Sequence, residues 1–226
     1  MTKKQSILSF IKKINRPLFT TAELSMISNK SLSTTTQALN YLQKQGAIFK
    51  VYRGIWAEIT NKPLSPYSVI LFLFPRHQAY VSFISALHLY DIVEQIPQVI
   101  TLASNTHTKT IVTKLGTFSV HQITPSFFDG FEWYKGEGDF LIAEPEKALI
   151  DCLYLAGYKK KQFANFPELH FPKTFSFKKA KKWIEKMPNP KIRSFTFQKL
   201  KIIEKQAKFL EKHQKKQKKR LGKLPL

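Results

Sequence analysis

The first sixty residues carry the signals of a small helical unit that ends in a hairpin. Thr20 and Glu23 are spaced as a capping box, in which each side chain satisfies a free backbone amide of the other residue. This spacing predicts a short second helix, after the break that Pro17 imposes on a first one. Ser33 is expected to cap a third helix, and Gly46 is expected to end it.

The third predicted helix begins with short hydroxyl and amide side chains. Such groups near a helix N-terminus suit contacts to phosphates and base edges, and in a helix-turn-helix this end enters the major groove. Two short apolar strands then flank Arg53-Gly54, so a basic hairpin tip can contact the DNA backbone as a wing. The predicted DNA-binding residues are Ser33, Thr34, Thr35, Thr36, Gln37, Asn40, Tyr41, Lys44, Lys50 and Arg53. The sequence thus predicts a winged helix-turn-helix over residues 1–62, with protein interaction as its alternative use.

Charge is distributed unevenly along the chain. Residues 1–62 hold ten basic and two acidic side chains, residues 63–157 hold five and nine, and residues 158–226 hold twenty-two and four. Two basic ends favour a polyanionic partner, nucleic acid before a membrane surface, although the last segment alone fits a solubilising role equally well. No apolar run approaches the ~18–20 residues that span a bilayer. We therefore expect a cytoplasmic protein without a membrane partner.

Residues 63–226 are predicted to form a second, α/β domain with a Lys-rich helical tail from about residue 158. Glu144-Pro145-Glu146 starts one of its helices, because proline at the first helical position and acids in the first turn suit a helix N-terminus. The other predicted elements are a helix over 82–90, strands over 99–103 and 139–143, and a hairpin over 110–122. The whole chain is expected to be an α+β or α/β protein.

Five stretches of this second segment carry a family resemblance. They are Ser-Ala-Leu-His-Leu-Tyr at 85–90, Gln-Ile-Pro at 95–97, Val-Ile-Thr-Leu-Ala at 99–103, Leu-Gly-Thr-Phe at 115–118 and Ile-Ala-Glu-Pro-Glu-Lys-Ala-Leu-Ile-Asp at 142–151. Over roughly residues 5–156 the chain resembles AbiEi-type proteins. These are bacterial antitoxins and transcriptional regulators of abortive-infection toxin–antitoxin systems, which act in phage defence. The stretch at 142–151 is the most specific part of the resemblance.

The resemblance implies an N-terminal winged helix that binds inverted repeats in the promoter of its own operon and represses transcription. It also implies an α/β domain associated with neutralising a nucleotidyltransferase-like toxin encoded next door. In this family neutralisation is described as not requiring a stable antitoxin–toxin complex. The implied DNA contacts of this chain are residues 33–37, Asn40, Tyr41 and Arg53. The resemblance gives no role to the tail after residue 157.

Two other functions stay open at this point. Asp139 and Glu146, with Glu144 and Lys147 beside them, resemble the acidic and lysine residues of a metal-dependent nuclease. Glu146 and Lys147 are adjacent, however, and would diverge by about 100° on a helix. The aromatic residues around 127–134 and the Lys-rich tail instead suit an RNA-binding or interaction module. We expect a protein that is not an enzyme and that uses no cofactor and no metal.

Overall fold

The computed structural model describes residues 6–136, 138–163 and 165–221. Within this part the chain is a mixed α and β protein, with eight α-helices and two sheets. It divides into two compact units. The first unit is Met1–Gln78 with Thr110–Phe118 and Tyr134–Phe140, and the second is Ala79–Lys109 with Ser119–Trp133 and Leu141–Leu226. The first unit thus runs past the predicted boundary at residue 62 and takes in two later segments.

The first unit opens with three helices and a small antiparallel sheet. Its first six elements are α1 (Ile7–Ile14), β1 (Leu18–Thr20), α2 (Thr21–Ser28), α3 (Leu32–Lys44), β2 (Ile48–Tyr52) and β3 (Ile55–Glu58). The strands lie in the order β1-β3-β2, so the predicted hairpin of β2 and β3 is confirmed. Strand β1 was not predicted, because three residues are too short to show an alternating pattern. After the sheet come a 3-10 turn (Pro66–Val69) and α4 (Ile70–Leu73).

The helix caps explain where α2 and α3 begin. The capping box is confirmed, since Thr20 Oγ1 accepts from the Glu23 amide at 3.1 Å while the Glu23 carboxylate accepts from the Thr20 amide. Helix α3 begins two residues earlier than predicted, because its N-cap is Ser31 and not Ser33. The Ser31 hydroxyl accepts from the Thr34 amide at 3.1 Å, which leaves the Ser33 side chain pointing outward.

The apolar faces of these elements form one core. Trp56 on β3 is almost fully buried, and its Nε1 donates to Thr21 Oγ1 at 2.9 Å. This bond satisfies the only polar atom of the indole and ties β3 to the start of α2. The other members of the core are Ile7, Ile11, Phe19, Leu24, Leu39, Leu42 and Ile48.

The remaining strands and helices belong mainly to the second unit. The strands are β4 (Ala79–Val81), β5 (Ile100–Ser104), β6 (Lys109–Val112), β7 (Thr117–Gln122), β8 (Phe131–Trp133) and β9 (Leu141–Ala143). They form a sheet in the order β6-β7-β5-β4-β9-β8, in which β4 pairs antiparallel with β5 and parallel with β9. Strand β4 escaped prediction because all three of its residues are buried, which leaves no alternation to detect.

Four helices accompany this sheet. They are α5 (Phe83–Leu89), α6 (Pro145–Gly157), α7 (Phe177–Glu185) and α8 (Pro190–Leu221). Helix α6 packs against each of the other three, and its residues 146–155 are all buried. Helix α8 begins earlier than the predicted start near residue 196. Pro190 is its first residue, and the Asn189 side chain accepts from the Lys191 and Ile192 amides at 2.9 and 3.3 Å.

A buried histidine on β7 gives the second unit a pH-dependent element. His121 is almost fully buried against the rings of Phe83 and Phe163. Its Nε2 lies 3.0 Å from Ser119 Oγ and 3.1 Å from Gln162 Nε2. Burial, helped by the charge of Lys160, lowers the pKa of His121 from 6.5 to about 4.

The free energy of unfolding should therefore fall as the pH falls from 6.5 toward 4. In this window the unfolded state binds a proton that the folded state excludes, and the loss should reach at most about 3 kcal/mol. Urea unfolding at pH 7 and pH 5 measures it. A His121→Gln variant cannot titrate there and should lose less stability between the two pH values. Equal losses in both proteins would contradict the assignment of this pH dependence to His121.

Candidate nucleic-acid interface

One face of α3 carries a row of exposed polar side chains. Ser33, Gln37, Asn40 and Lys44 are all exposed, and their spacing places them on the same side of the helix. Among the described residues, the side chains of Ser33, Gln37 and Asn40 form no internal hydrogen bond. Their donors and acceptors are therefore available to a ligand. We call these four residues the α3 polar row.

Three further predicted contact residues flank this row. The Thr34 hydroxyl lies 2.9 Å from Ser31 Oγ, and the Thr36 hydroxyl donates to the Leu32 carbonyl at 2.7 Å. Both hydroxyls thus have partners within α3. Tyr41 is exposed one residue beyond Asn40 and presents its ring to solvent. Thr34, Thr36 and Tyr41 can therefore border the α3 polar row rather than form its centre.

Thr35 does not belong to this face, contrary to the prediction. Its side chain is 0% exposed and points with Leu39 and Leu42 into the core. Its hydroxyl has no hydrogen-bond partner in the part of the chain that the structure describes. Positions 35, 39 and 42 share one side of a 3.6-residue helix, so a ligand on the opposite side cannot reach Thr35.

The hairpin of β2 and β3 ends in an exposed basic turn. Lys50 and Arg53 are exposed, and Tyr52 is partly so. Arg53-Gly54 forms the turn, where Gly54 has φ +74°, a value that glycine adopts without strain. The Gly54 carbonyl accepts from the Thr21 amide at 2.9 Å, which ties the turn to the start of α2. The hairpin tip is therefore fixed at its base and free at its basic side chains.

A second turn adds a cation that sequence reasoning missed. The Lys114 amide donates to the Val51 carbonyl on β2 at 3.1 Å, and the Lys114 side chain is exposed. Thr113 holds this turn, since its hydroxyl donates to the Gly116 carbonyl at 2.9 Å and accepts from the Gly116 amide at 3.1 Å. The turn lies some sixty residues beyond β2 in the sequence, so no local pattern linked the two.

These residues line a shallow concave surface in the first unit. A cavity of 590 Å³ is bordered by Gln43, Lys50, Arg53 and Lys114. All the charged residues described along its edge are basic. Such a surface suits the negatively charged phosphates of a nucleic acid backbone, whereas the amides of the α3 polar row suit base edges.

The stretch at 142–151 folds into a buried ion pair in the second unit. Lys147 Nζ donates to Asp151 Oδ1 one helical turn away, and both side chains are completely buried. Tyr80 Oη lies 3.1 Å from Lys147 Nζ and 3.1 Å from Asp151 Oδ2. The Ser82 hydroxyl donates to the same Oδ2 at 2.7 Å. These bonds join α6 to β4 and to the residue that follows it.

Aromatic rings close the remaining sides of this pair. Lys147 Nζ lies 4.2 Å from the centre of the Phe127 ring and 5.6 Å from that of Trp183. Burial lowers the pKa of Lys147 and raises that of Asp151, and their mutual attraction opposes both shifts. Because neither group is accessible, the most specific motif of the chain stabilises the second unit and does not contact a ligand.

Glu146, named in the nuclease alternative, holds the chain near α7. Its Oε1 accepts from the Ser176 amide at 2.8 Å, and Lys179 Nζ lies 3.7 Å from its other oxygen. Asp139 is exposed. The described residues contain no cluster of three or more His, Cys, Asp or Glu side chains that could hold a metal ion. Burial raises the pKa of the Cys152 thiol well above its usual range, which disfavours the reactive thiolate.

The aromatic residues around 127–134 are mostly packed against other rings. The Tyr80 ring lies 5.1 Å from the Phe128 ring and 4.6 Å from the Phe131 ring. Phe127 is buried against Tyr154, and Trp133 is the most exposed ring of the group. Most of these rings are therefore unavailable for stacking on bases.

No family model and no curated protein matches this sequence. In the part of the chain that the structure describes, no helix is both long and apolar enough to span a bilayer. The function is therefore inferred from the residues themselves.

Proposed function

We propose that this chain is a sequence-specific DNA-binding transcriptional repressor that regulates its own operon. The observation that carries the proposal is the α3 polar row in the same unit as a basic hairpin tip. A row of Ser, Gln, Asn and Lys offers hydrogen bonds to base edges, and Lys50, Arg53 and Lys114 offer charge to the phosphates.

We interpret the first six elements as a winged helix-turn-helix. Their order, with α2 and α3 separated by a short turn and followed by the β2–β3 hairpin, supports this interpretation. In this arrangement α3 is the recognition helix and the hairpin is the wing. Ser31 rather than Ser33 caps α3, so Ser33 is available at the exposed N-terminal end of the recognition helix.

Promoter activity tests the repressor proposal most simply. A reporter gene placed behind the chain's own upstream DNA should be repressed when the protein is supplied from a separate plasmid. A reporter with a scrambled upstream segment should be unaffected, because readout of base edges depends on sequence. Equal expression of the first reporter with and without the protein would contradict autoregulation.

Arg53→Ala and Lys114→Ala are each expected to weaken binding to all duplexes alike. Each removes one phosphate contact, so the slope of log affinity against log salt should become less steep by about 1. Fluorescence anisotropy across a salt series measures both effects. Lys12→Ala is the matched control, because Lys12 is an exposed lysine of α1 outside the proposed surface. If Lys12→Ala changes the slope as much as the other two, the basic tip has no special role.

We further propose that the chain acts as an antitoxin against a nucleotidyltransferase-like toxin. The resemblance at 142–151 supports this part of the proposal. Expression of the neighbouring gene should slow bacterial growth, and co-expression of this chain should restore it. Restoration by a Gln37→Ala variant would separate neutralisation from DNA reading. If the neighbouring gene does not affect growth, this antitoxin role is excluded for that gene.

A further inference from the structure

The second unit contains an apolar groove that the proposed function does not use. Its volume is 730 Å³, and it lies between α6, the segment after it and the C-terminal half of α8. Leu153 and Ala156 contribute from α6, Phe166 and Phe171 from the following segment, and Ile202 and Leu210 from α8. Apolar side chains thus line the groove on three sides.

The α8 side of the groove leaves large apolar side chains in solvent. Ile202 is 51% exposed, Phe209 is 62% exposed and Leu210 is 38% exposed, whereas Leu200 and Ala207 on the packed side of α8 are buried. These exposed residues occur on a helix that is otherwise rich in lysine. A contiguous exposed apolar surface of this kind is typical of a site where another molecule binds.

The charge around the groove indicates what kind of molecule fits. Lys199 and Lys205 lie along its edge, together with the acidic Glu168. The other described acid of α8 that lies nearby, Glu204, is 2.8 Å from Lys181 and 2.8 Å from Lys208, so it is already neutralised. Residues 158–226 hold twenty-two basic and four acidic side chains, so a second copy of this chain would be repelled. An acidic partner is favoured by the same charge.

The length of the exposed stripe matches a short helix. Residues 202–210 span about 12 Å along α8, at 1.5 Å per residue. Three apolar anchors at i, i+4 and i+7 of a docking helix span a similar distance, which is the pattern of helix-in-groove recognition. The groove therefore has room for about two turns of an amphipathic helix.

We propose that this groove binds an amphipathic helix of a partner protein whose flanking side chains are acidic. The apolar face of that helix packs against Ile202, Leu210 and the rings opposite them. Its carboxylates lie near Lys199 and Lys205. This interaction is independent of DNA binding, which the proposed function assigns to the first unit.

A synthetic peptide is the probe for this proposal. It has about 15 residues, a fluorescent label, Leu at i, i+4 and i+7, and Glu on the other face. It should bind the full chain in an anisotropy titration. A peptide of the same composition with the Leu positions scrambled should bind at least about tenfold more weakly, because its charge is kept and its apolar face is lost. Equal binding of both peptides would reduce the effect to nonspecific charge and overturn the proposal.

Two variants of the protein localise the binding. Ile202→Lys increases the positive charge while it removes an apolar anchor, and it should weaken binding of the peptide about tenfold or more. Phe197→Lys is the matched control, because Phe197 is exposed on the same helix, about 140° around it from Ile202, and does not line the groove. Phe197→Lys should bind as the unaltered chain does. Both positions are exposed, and unchanged thermal unfolding confirms that both variants fold. If Ile202→Lys binds as tightly as Phe197→Lys, the groove is not the site.

Two other occupants give distinct results. If the peptide binds only after residues 222–226 are removed, the chain's own end competes for the groove. If sedimentation shows a dimer that Ile202→Lys dissociates, a second copy occupies it. Either result overturns the proposal of an acidic partner helix, and neither bears on DNA binding.

Discussion

Asp151→Ala is expected to lower the free energy of unfolding by about 3–5 kcal/mol. The change leaves the ammonium group of Lys147 fully buried with Tyr80 Oη and aromatic rings, but without its counter-charge. It also removes the acceptor of the Ser82 hydroxyl on the strand side of the site. A buried charge without a partner is far more costly than a buried pair. Urea unfolding of the variant and of the unaltered chain measures the difference.

A double variant separates the pair from its cavity. Lys147→Met with Asp151→Leu removes both charges and keeps the site apolar, so it should recover much of the stability that Asp151→Ala loses. Asp129→Ala is the matched control for loss of a carboxylate, because Asp129 is exposed and its pair with Lys186, at 3.3 Å, should contribute less than about 1 kcal/mol. A loss of less than about 1 kcal/mol in Asp151→Ala would contradict the structural role given to this ion pair.

Gln37→Ala is expected to reduce the preference for the chain's own upstream DNA over a scrambled duplex by about 5- to 150-fold. A Gln or Asn side chain pairs with adenine through two hydrogen bonds, and each good pair of this kind contributes about 1–3 kcal/mol to discrimination. Gln37 and Asn40 lie about one turn apart on the α3 polar row, so Asn40→Ala should have a similar effect at a neighbouring base pair. Anisotropy titrations with both duplexes measure the ratio.

Thr35→Val controls for changes to α3 that do not touch its exposed face. The side chain of Thr35 is buried and its hydroxyl has no partner among the described residues, so this change should leave DNA preference intact. It should also maintain or slightly raise stability, because it removes an unsatisfied polar group. A loss of preference in Thr35→Val that equals the loss in Gln37→Ala would show that the exposed face of α3 is not what reads the DNA.

Local signals allowed most of the first unit to be predicted. The Thr20–Glu23 capping box and the Arg53-Gly54 turn are each fixed by residues within four positions of one another. The error at Thr35 came from treating a polar first turn as one surface. Its spacing from Leu39 and Leu42, at four and seven residues, already places it on the buried side of the helix.

The remaining errors involve residues that are distant in the sequence. Lys147 and Asp151 are four residues apart in an apolar helix, which indicates an ion pair, but their partners Tyr80 and Ser82 come from a strand almost seventy residues earlier. Lys114 reaches the edge of β2 through a backbone hydrogen bond that no local pattern encodes. Strands β1 and β4 are too short for their alternation to be recognised.

Binding to the chain's own upstream DNA tests the central claim most directly. The measurement is anisotropy of a labelled upstream duplex and of a scrambled duplex of equal length, across a salt series. We predict a strong preference for the upstream duplex that persists at moderate salt, because contacts to base edges depend on sequence whereas phosphate contacts weaken as salt rises. Equal and steeply salt-dependent binding to both duplexes would contradict sequence reading by α3 and would leave only an electrostatic attraction to nucleic acid.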